Sequence, residues 1–328
     1  MVIGTEPGPG FAGVVYRNAP LRPSWWLSRN QRHLAAVKNA LALMSPALIT
    51  VHNRPKLAST LKRKMNVPVM LYLHNDISLK KGFKRTAQRR QLVDSVDAIV
   101  CVSQYLKVRL LEGTGHAGEN VHVIHNGVEV KDFDGGVKDK ENVILFVGRI
   151  DYEKGVIGLL EAAEEVLPEH PSWRLAVVGP TRYTDRGLEN EALRALKAAD
   201  EKLGNQLVYH EFLPHEQVIE WFRKAAIAVT PAIWSEPFGR TSLEAMASRC
   251  ALISSSRGGL EELVGDCAAQ VNPEDSAEIA GALRWLMRDA CARERIGDHC
   301  FRRSRLFDVG LQADMLDRVR AELISAKS

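Results

Sequence analysis

Two cations flank a single loop near the middle of the chain. Arg149 follows the apolar residues 143–147 after one glycine, and Lys154 comes five residues later. The carboxyl ends of strands in open α/β sheets face the ligand crevice, so cations at such an end suit a diphosphate. Arginine binds phosphate through a two-pronged guanidinium and lysine through a point charge. Because a single cation at a strand end is usually a surface residue, this segment alone leaves both interpretations open.

Two glutamates eight residues apart frame a second loop. Glu236 follows the apolar residues 227–230, and Glu244 lies inside a helical pattern that begins after Gly239. The free N–H groups and the dipole of a helix amino end form an anion site, which Gly239 lets a phosphate approach. Carboxylates accept hydrogen bonds from paired hydroxyl groups, so one glutamate suits a sugar and the other a ribose. A random pair of glutamates would more often only complement the helix dipole.

Both loops belong to an alternation of short β-branched runs and helix-length segments. Such alternation is typical of βαβ units and predicts parallel sheets. The predicted strands are residues 48–51, 68–73, 98–102, 121–124, 143–147, 174–178, 206–209, 227–230 and 251–254. The sequence therefore predicts an α/β fold.

The length of 328 residues and a polar, glycine-containing stretch divide the chain into two predicted domains. Residues 1–130 form an N-terminal domain that is short for its class, and residues 131–142 form a linker. Residues 143–305 form a second Rossmann-like domain. Residues 306–328 form a C-terminal helix, in which Leu311, Met315, Val319 and Leu323 recur every four residues as an apolar stripe.

Charge is distributed unevenly between the two halves. Residues 1–126 contain 18 Lys and Arg against 6 Asp and Glu, and residues 127–328 contain 26 against 34. The first half therefore suits an anionic partner, although a solvated basic face is the simpler alternative. The cations predicted to contact an anionic membrane or an acceptor are Lys80, Lys81, Lys84, Arg85, Arg89 and Arg90. A basic helical face of this kind can lie on acidic lipid headgroups.

The residues from Glu236 to Glu244 resemble the E-x7-E signature of the family 4 retaining glycosyltransferases. Arg149 and Lys154, each with its neighbouring glycine, resemble the donor-phosphate motif of the same family, in the expected order. Further matching segments are residues 124–128, 177–180, 212–215 and 256–262. The resemblance runs from about residue 45 to the end and implies the GT-B fold, with two facing Rossmann-like domains and a C-terminal helix that packs back toward the first domain.

The resemblance also implies a role for each matching residue. The donor diphosphate is expected to bind Arg149, Lys154, Gly239, Arg240 and Thr241. The donor sugar and nucleoside are expected to bind Glu236, Phe238, Glu244, Leu213 and Pro214. His74, at the end of residues 68–73, is the expected contributor from the first domain, and with Glu236 it forms the predicted catalytic pair. A lone histidine is otherwise most often structural.

The implied reaction moves a hexose from a UDP- or GDP-sugar to a lipid-linked or polysaccharide acceptor with retention of configuration, as in the assembly of bacterial surface polysaccharide. Breaking the sugar–phosphate bond develops negative charge on the diphosphate, which Arg149, Lys154 and helix amides would stabilise. Glu236 is expected to orient the sugar rather than attack it.

No metal or other cofactor is expected. Asp132 and Asp134 imitate a metal-binding Asp-X-Asp motif, but they lie in the predicted linker. Five scattered cysteines without a Cys-X-X-Cys pair predict reduced thiols. Because no apolar run approaches the roughly 20 residues that span a bilayer, the sequence predicts a cytoplasmic protein, with a possible peripheral location on the inner face of the membrane.

Three other classes of function compete with this interpretation. The basic half could bind nucleic acid, but it lacks a recognisable reader motif. Residues 8–13 match the glycine pattern of a dinucleotide-binding oxidoreductase, but no full strand precedes them and Pro9 lacks an amide hydrogen. A catalytically weak, transferase-like scaffold is the third alternative, and the complete donor motifs argue against it.

Overall fold

The computed structural model of the protein describes residues 2–4, 16–18, 25, 29–41, 44–134, 140–181 and 190–326. The glycine-rich residues 8–13 and residues 135–139 of the predicted linker lie outside the described residues. The chain forms two compact units. The first contains Met1–Cys101, Lys107–Val123 and Leu316–Ser328, and the second contains Val102–Leu106 and Ile124–Met315.

Four parallel strands form the main sheet of the first unit. The elements up to residue 123 are β1 (Val2–Gly4), β2 (Tyr16–Asn18), α1 (Arg29–Leu41), β3 (Ile49–His52), α2 (Pro55–Lys64), β4 (Val69–Leu73), α3 (Thr86–Asp94), β5 (Ala98–Cys101), α4 (Gln104–Leu111) and β6 (Val121–Val123). The main sheet has the order β3-β4-β5-β6, and β1 pairs with β2 separately. Helices α2 and α3 each connect two neighbouring strands, as parallel pairing requires.

Apolar sequence explains why these elements pack. All five residues of β4 are buried, which is typical of a parallel strand covered on both faces. Helix α2 begins with Pro55, whose missing amide hydrogen costs nothing in a first turn, and it buries Ala58 and Leu61. This packing fixes the strand ends that carry the polar residues of the unit.

Six parallel strands form the sheet of the second unit. The elements from residue 124 on are α5 (Val130–Phe133), β7 (Glu141–Val147), α6 (Val156–Val166), β8 (Arg174–Val178), α7 (Glu191–Leu203), β9 (Leu207–His210), α8 (His215–Lys224), β10 (Ala225–Thr230), α9 (Arg240–Ala247), β11 (Ala251–Ser254), α10 (Gly259–Val264), β12 (Ala269–Gln270), α11 (Ser276–Arg288), α12 (Ala290–Ser304) and α13 (Val309–Ser325). The order is β12-β11-β10-β7-β8-β9. The chain builds outward from β7 to β9 and then returns to place β10 on the other side of β7. This reversal is the topological switch point of a doubly wound fold, where ligands bind.

The predicted α/β fold with parallel sheets is confirmed. Each of the nine predicted strands is present, with ends that differ from the prediction by at most two residues. The short strands β2 and β12 were not predicted, because two or three residues are too few to establish a period.

The C-terminal helix α13 differs in part from its prediction. Its residues from Leu316 on belong to the first unit and its earlier residues to the second. The predicted apolar stripe is only partly buried, since Leu311 is 51% exposed and Met315 is 42% exposed. Gln312, between them, is buried and accepts a hydrogen bond from the backbone N–H of His125 at 3.0 Å. The hydrogen bond of the Gln312 side chain therefore stabilises the first turns of α13, in place of the apolar contacts that were expected.

Candidate functional site

A pocket lies at the switch point of the second sheet. Val147 at the end of β7 and Thr230 at the end of β10 contribute to its lining. Four of the predicted site residues also line it, namely Lys154, Glu236, Gly239 and Thr241. A cation, a carboxylate and a helix amino end therefore share one volume at the edge of the sheet where ligands bind in this class of fold.

The loop after β7 places Lys154 in the pocket. The residues Tyr152–Lys154 form one turn of 3₁₀ helix, and Asp151 caps it by accepting a hydrogen bond from the backbone N–H of Lys154 at 3.1 Å. Gly155 then has a φ of 71°, and a Cβ there would come within 1.7 Å of the carbonyl oxygen of Pro231. Only glycine fits, so the loops after β7 and β10 approach each other closely.

Lys154 and Glu236 form an ion pair inside the pocket. Nζ of Lys154 donates to Oε1 of Glu236, and only 22% and 11% of the two side chains are exposed. The ammonium group also lies 5.3 Å from the ring centroid of Trp234, on the same loop as Glu236. Partial burial strengthens this pair relative to a surface ion pair, and the two opposite charges remain beside the same space.

The amino end of α9 forms another wall of the pocket. Gly239 precedes the helix with a φ of 104°, and a Cβ there would come within 2.3 Å of Leu260. The first turn of a helix leaves its N–H groups without intrahelical acceptors, and here that turn contains Arg240, Thr241 and Ser242. Thr241 and Ser242 line the pocket, and the Ser242 hydroxyl donates to the Thr230 hydroxyl at 3.0 Å. The arrangement suits an anion.

Glu244 lies further along α9 and does not contribute to the pocket lining. The residue is 6% exposed. Burial raises the pKa of its carboxyl to about 7, although the guanidinium of Arg240 acts in the opposite direction. Nη2 of Arg240 lies 3.5 Å from the Glu244 carboxylate. Glu244 is therefore near its midpoint of protonation at neutral pH.

Arg149 is also outside the lining of the pocket. Its guanidinium pairs with the carboxylate of Asp151 at 2.9 Å and with that of Glu153 at 3.3 Å. Both partners belong to the loop that carries Lys154. The structure thus places four of the predicted donor-site residues in one pocket, namely Lys154, Glu236, Gly239 and Thr241. Arg149 and Glu244 do not line that pocket.

Three further predicted residues occupy different environments. The ring of Phe238 is 2% exposed and lies 5.7 Å from the ring of His125 and 5.8 Å from that of Phe307. Its side chain belongs to the core, so only its backbone is available to a ligand. Leu213 and Pro214 lie in the loop between β9 and α8, half-buried and exposed respectively.

In the first unit, His74 lies just after β4 within an aromatic cluster. Its Nε2 shares a hydrogen bond of 2.9 Å with Nδ1 of His52, at the end of β3. The ring of Tyr72 lies 4.5 Å from that of His74 and 5.3 Å from that of His52. The side-chain oxygen of Asn53 accepts from the backbone N–H of His74 at 2.8 Å. Burial and the charge of Arg320 lower the pKa of His52.

His52 and Tyr72 were not predicted as part of a site. They are paired in the register of β3 with β4, which places both on one face of the sheet. Nothing in their local sequence indicates this, because the two strands are about 20 residues apart in the chain. The one signal that the sequence offered was a polar residue, His52, at the end of β3, which is the strand before the one that His74 follows.

The six basic residues predicted to face a membrane separate into two groups. Lys80, Lys81, Lys84, Arg85 and Arg90 are exposed. The prediction is wrong for Arg89, which is 6% exposed. Its guanidinium donates to the carbonyl oxygens of Phe83, Lys84, Leu110 and Glu112, at 3.2, 3.1, 3.0 and 2.6 Å. Arg89 therefore stabilises the fold of the first unit and is not available to a partner.

Potential metal ligands do not cluster in the part of the chain that the structure describes. Within residues 44–134, 140–181 and 190–326 and the shorter described segments, no group of three or more His, Cys, Asp or Glu is placed to hold a metal ion. Asp134 pairs instead with Arg249 at 2.9 Å. Among the helices that the structure describes, none is long and apolar enough to cross a membrane.

The sheets, the switch-point pocket and solved structures together define the class of protein as GT-B. Sucrose-phosphate synthase from Thermosynechococcus elongatus matches with a TM-score of 0.78 and 20% identity over 95% of this chain and 84% of that one. Anabaena HepE in complex with UDP-glucose matches with a TM-score of 0.73 and 19% identity over 95% and 86%.

Family comparison gives the particular assignment. Residues 128–301 match the family described as "Glycosyl transferases group 1", and residues 2–132 match "Glycosyltransferase Family 4". Because the first match alone covers more than half of the chain, the chain belongs to the group 1 glycosyl transferases.

Individual relatives agree with the family. The chain is 29% identical to YtcC of Bacillus subtilis (strain 168) over 71% of this chain and 61% of the relative. It is 28% identical to the D-inositol 3-phosphate glycosyltransferase of Acidothermus cellulolyticus over 84% and 69%. It is 24% identical to the lipopolysaccharide 1,2-N-acetylglucosaminetransferase of Salmonella typhimurium over 70% and 60%. The match to the first and last of these spans less than two thirds of the relative's length.

Proposed function

We propose that the protein transfers a hexose-type sugar from a nucleoside-diphosphate sugar to a lipid-linked or polysaccharide acceptor, with retention of configuration. The observation that carries this proposal is the shared pocket of Lys154, Glu236, Gly239 and Thr241. A cation and free helix amides bind phosphate, and a carboxylate beside them binds the hydroxyl groups of the attached sugar. Membership of the group 1 glycosyl transferases supports the same reaction.

The donor would extend from this pocket in both directions. Its diphosphate lies on Lys154 and on the first-turn amides of α9 at Arg240 and Thr241. The guanidinium of Arg149, now held by Asp151 and Glu153, is the nearest additional cation on that loop. The ribose reaches Glu244, and the nucleobase, that of UDP or GDP, lies against the loop of Leu213 and Pro214.

The ion pair between Lys154 and Glu236 prepares both residues for the donor. Without a ligand, each charge neutralises the other in a partly buried place. When the donor binds, its diphosphate replaces Glu236 as the partner of the Lys154 ammonium group. The sugar hydroxyls then donate hydrogen bonds to the Glu236 carboxylate. Because both groups are already positioned, little reorganisation opposes binding.

In the proposed reaction, the bond between the anomeric carbon and the diphosphate oxygen breaks while the acceptor oxygen bonds to that carbon on the same face. The electron pair remains on the diphosphate, where Lys154, Arg149 and the helix amides stabilise it. The departing phosphate oxygen takes the acceptor's proton. Glu236 orients the sugar. His74, whose ring is hydrogen-bonded to His52 and whose backbone N–H is hydrogen-bonded to Asn53, is the proposed catalytic residue of the first unit. The mechanism requires no metal.

A thermal-shift panel of UDP-, GDP- and ADP-sugars tests the donor site. A ligand at 100 times its Kd adds about 2.7 kcal/mol of stability, which is readily detected as an increase in Tm. We expect one nucleotide series to stabilise the wild-type chain and to lose that effect in Lys154→Ala. The control is Arg302→Ala, which removes an exposed cation from α12. If no nucleotide sugar raises Tm, or if both variants respond like the wild type, the donor site is wrong.

We further propose a peripheral location on the inner face of the cytoplasmic membrane. Five exposed cations occur between residues 80 and 90. Each cation near an anionic surface contributes roughly 1 kcal/mol to binding. Replacing Lys80, Lys81 and Lys84 by Gln should therefore reduce cosedimentation with anionic vesicles by about 100-fold. Replacing three exposed cations of the second unit, Lys224, Arg288 and Arg302, is the charge-matched control. Equal binding of the wild type to anionic and neutral vesicles would refute this location.

A further inference from the structure

A groove lined by both polar and apolar groups separates two helices on the first unit's sheet. Helices α2 and α3 connect consecutive pairs of parallel strands, so right-handed crossovers place them side by side on one face. The groove between them has a volume of about 460 Å³. It is lined by Lys56, Ser59, Thr60 and Arg63 of α2, by Gln88, Gln91 and Leu92 of α3 with Ser95 directly after that helix, and by Gly82 and Phe83 of the preceding loop.

The spacing of these residues shows that the two helices turn polar stripes toward each other. Both sets follow the pattern i, i+3, i+4 and i+7, which marks one face of a helix. In helices that pack against each other this face is normally apolar and its side chains interdigitate. Here seven of the eight residues are polar. The stripes therefore leave a space suited to a polar ligand.

The charge of the groove has one sign. Its lining includes Lys56 and Arg63 but no Asp or Glu. Among the ion pairs of the described residues, neither of these two cations takes part. Lys62, on the same helix but outside the groove, does pair with Asp97 at 2.5 Å. The groove cations are therefore available to an anion from outside the chain.

Neutral hydrogen-bonding groups lie between the two cations. The hydroxyls of Ser59 and Ser95 lie 2.8 Å apart and join the helices at one point of the groove. Thr60, Gln88 and Gln91 add a further hydroxyl and two carboxamides to the lining. The Ser59, Thr60 and Ser95 hydroxyls donate to the carbonyl oxygens of Pro55, Lys56 and Leu92, so they offer acceptor lone pairs to sugar hydroxyls. The carboxamide groups of the two glutamines add donors. Lys56 and Arg63, seven residues apart on α2, are separated by roughly 10 Å along the helix axis.

We propose that this groove binds an acidic oligosaccharide, with its carboxylate or phosphate groups at Lys56 and Arg63 and its hydroxyls at the serine, threonine and glutamine side chains. A small anion would occupy one cation and leave the remaining polar surface unused. A neutral glycan would leave two cations unpaired. The site is built from α2, α3 and the loop before α3 alone, so it does not depend on the donor pocket or on the proposed transfer.

Calorimetric titration with tetragalacturonate, and with the uncharged maltotetraose as reference, tests the proposal on the full chain. We expect tetragalacturonate to bind and maltotetraose to bind at least tenfold more weakly. The double variant Lys56→Gln/Arg63→Gln should lose at least tenfold in affinity for tetragalacturonate, because two charge-assisted contacts disappear. Gln91→Trp, an exposed change that fills the groove without altering charge, should weaken binding to a similar extent.

The matched control is Arg54→Gln/Lys64→Gln, which removes the same charge from exposed positions outside the groove. It should change the affinity by less than about twofold, because solvent screens charges that do not contact the ligand. Equal losses in the two double variants would show attraction by net charge alone and overturn the proposal. So would binding of anionic vesicles that depends on Lys56 and Arg63 when tetragalacturonate does not bind, since the groove would then be a lipid-headgroup site. A nucleotide-sugar thermal shift on each variant monitors the donor pocket independently.

Discussion

The donor pocket of the second unit and the groove of the first unit differ in how their cations are paired. In the second unit, Lys154 pairs with Glu236, and Arg149 pairs with Asp151 and Glu153. In the first unit, the groove cations Lys56 and Arg63 have no acidic residue among their neighbours in the lining.

The difference separates two kinds of anion site. A cation that is already paired costs little to keep in a partly buried pocket, and its acidic partner can bind a second part of the same ligand. An unpaired cation at an open groove remains hydrated and attracts its ligand over a longer range. The donor pocket is of the first kind and the groove is of the second.

The largest expected effect tests the pairing in the donor pocket. Lys154→Met and Glu236→Gln should each lower the transfer rate by about 100-fold or more, because each removes a group that stabilises the bound donor or the departing diphosphate. The double variant should lose less than the product of the two, since the residues interact. A double-mutant cycle on kcat/KM measures this coupling, with Lys64→Gln as the control. Strictly multiplicative losses would mean that the ion pair does not act as a unit.

An effect of comparable size is expected where a cation of the first unit is buried. Arg89→Ala should lower the free energy of unfolding by about 3 kcal/mol, because four carbonyl oxygens lose a charged donor. Arg90→Ala, which removes an exposed neighbour paired with Asp94 at 3.9 Å, should cost less than about 0.5 kcal/mol. Urea unfolding followed by circular dichroism compares the two. Equal losses of unfolding free energy in the two variants would contradict the structural role of Arg89.

An effect of roughly 2 kcal/mol is expected from the pH dependence of Glu244. Its pKa is raised by burial to about 7, above its usual value of 4.5. The folded state therefore binds more protons than the unfolded state between these values, and stability falls as pH rises through that window. Glu244→Gln lacks this dependence, so the variant should gain stability relative to the wild type from pH 5 to pH 8. A difference in Tm that stays constant with pH, without ligand, would contradict this expectation.

The smallest expected effect concerns the aromatic cluster of the first unit. His52→Phe keeps a ring beside Tyr72 but removes the hydrogen bond to His74. If His52 positions His74, the transfer rate should fall by about fivefold, the equivalent of one neutral hydrogen bond. His52→Asn, which retains a polar side chain, should recover part of the rate. An unchanged rate in His52→Phe would show that the hydrogen bond from His52 does not position His74 for the reaction.

Sequence was sufficient for the features that depend on local pattern. The apolar runs predicted the carboxyl ends of β7 and β10, although both strands begin two residues earlier than predicted. Both predicted loops follow these strand ends at the switch point. Lys154 and Glu236 meet because parallel strands with this order must bring those loops together. The strand order therefore predicts that Lys154 and Glu236 lie close together, but it does not predict their ion pair.

Features that depend on how elements are rotated could not be predicted. In the sequence, Arg89 cannot be distinguished from its basic neighbours, because a run of charged residues does not reveal which side chain is buried. The groove requires the relative rotation of α2 and α3, and the partnership of His52 with His74 requires the register of β3 with β4. Each of these is a tertiary relation with no counterpart in local periodicity.

The buried guanidinium of Arg89 has a consequence for the exposed cations around it. By tying the backbone at Phe83 and Lys84 to that at Leu110 and Glu112, it fixes the frame on which the neighbouring positive groups are displayed. Lysine at this position would conserve formal charge yet could not satisfy four acceptors in a fork. The spacing of the exposed charges on this surface therefore depends on one inward-facing arginine.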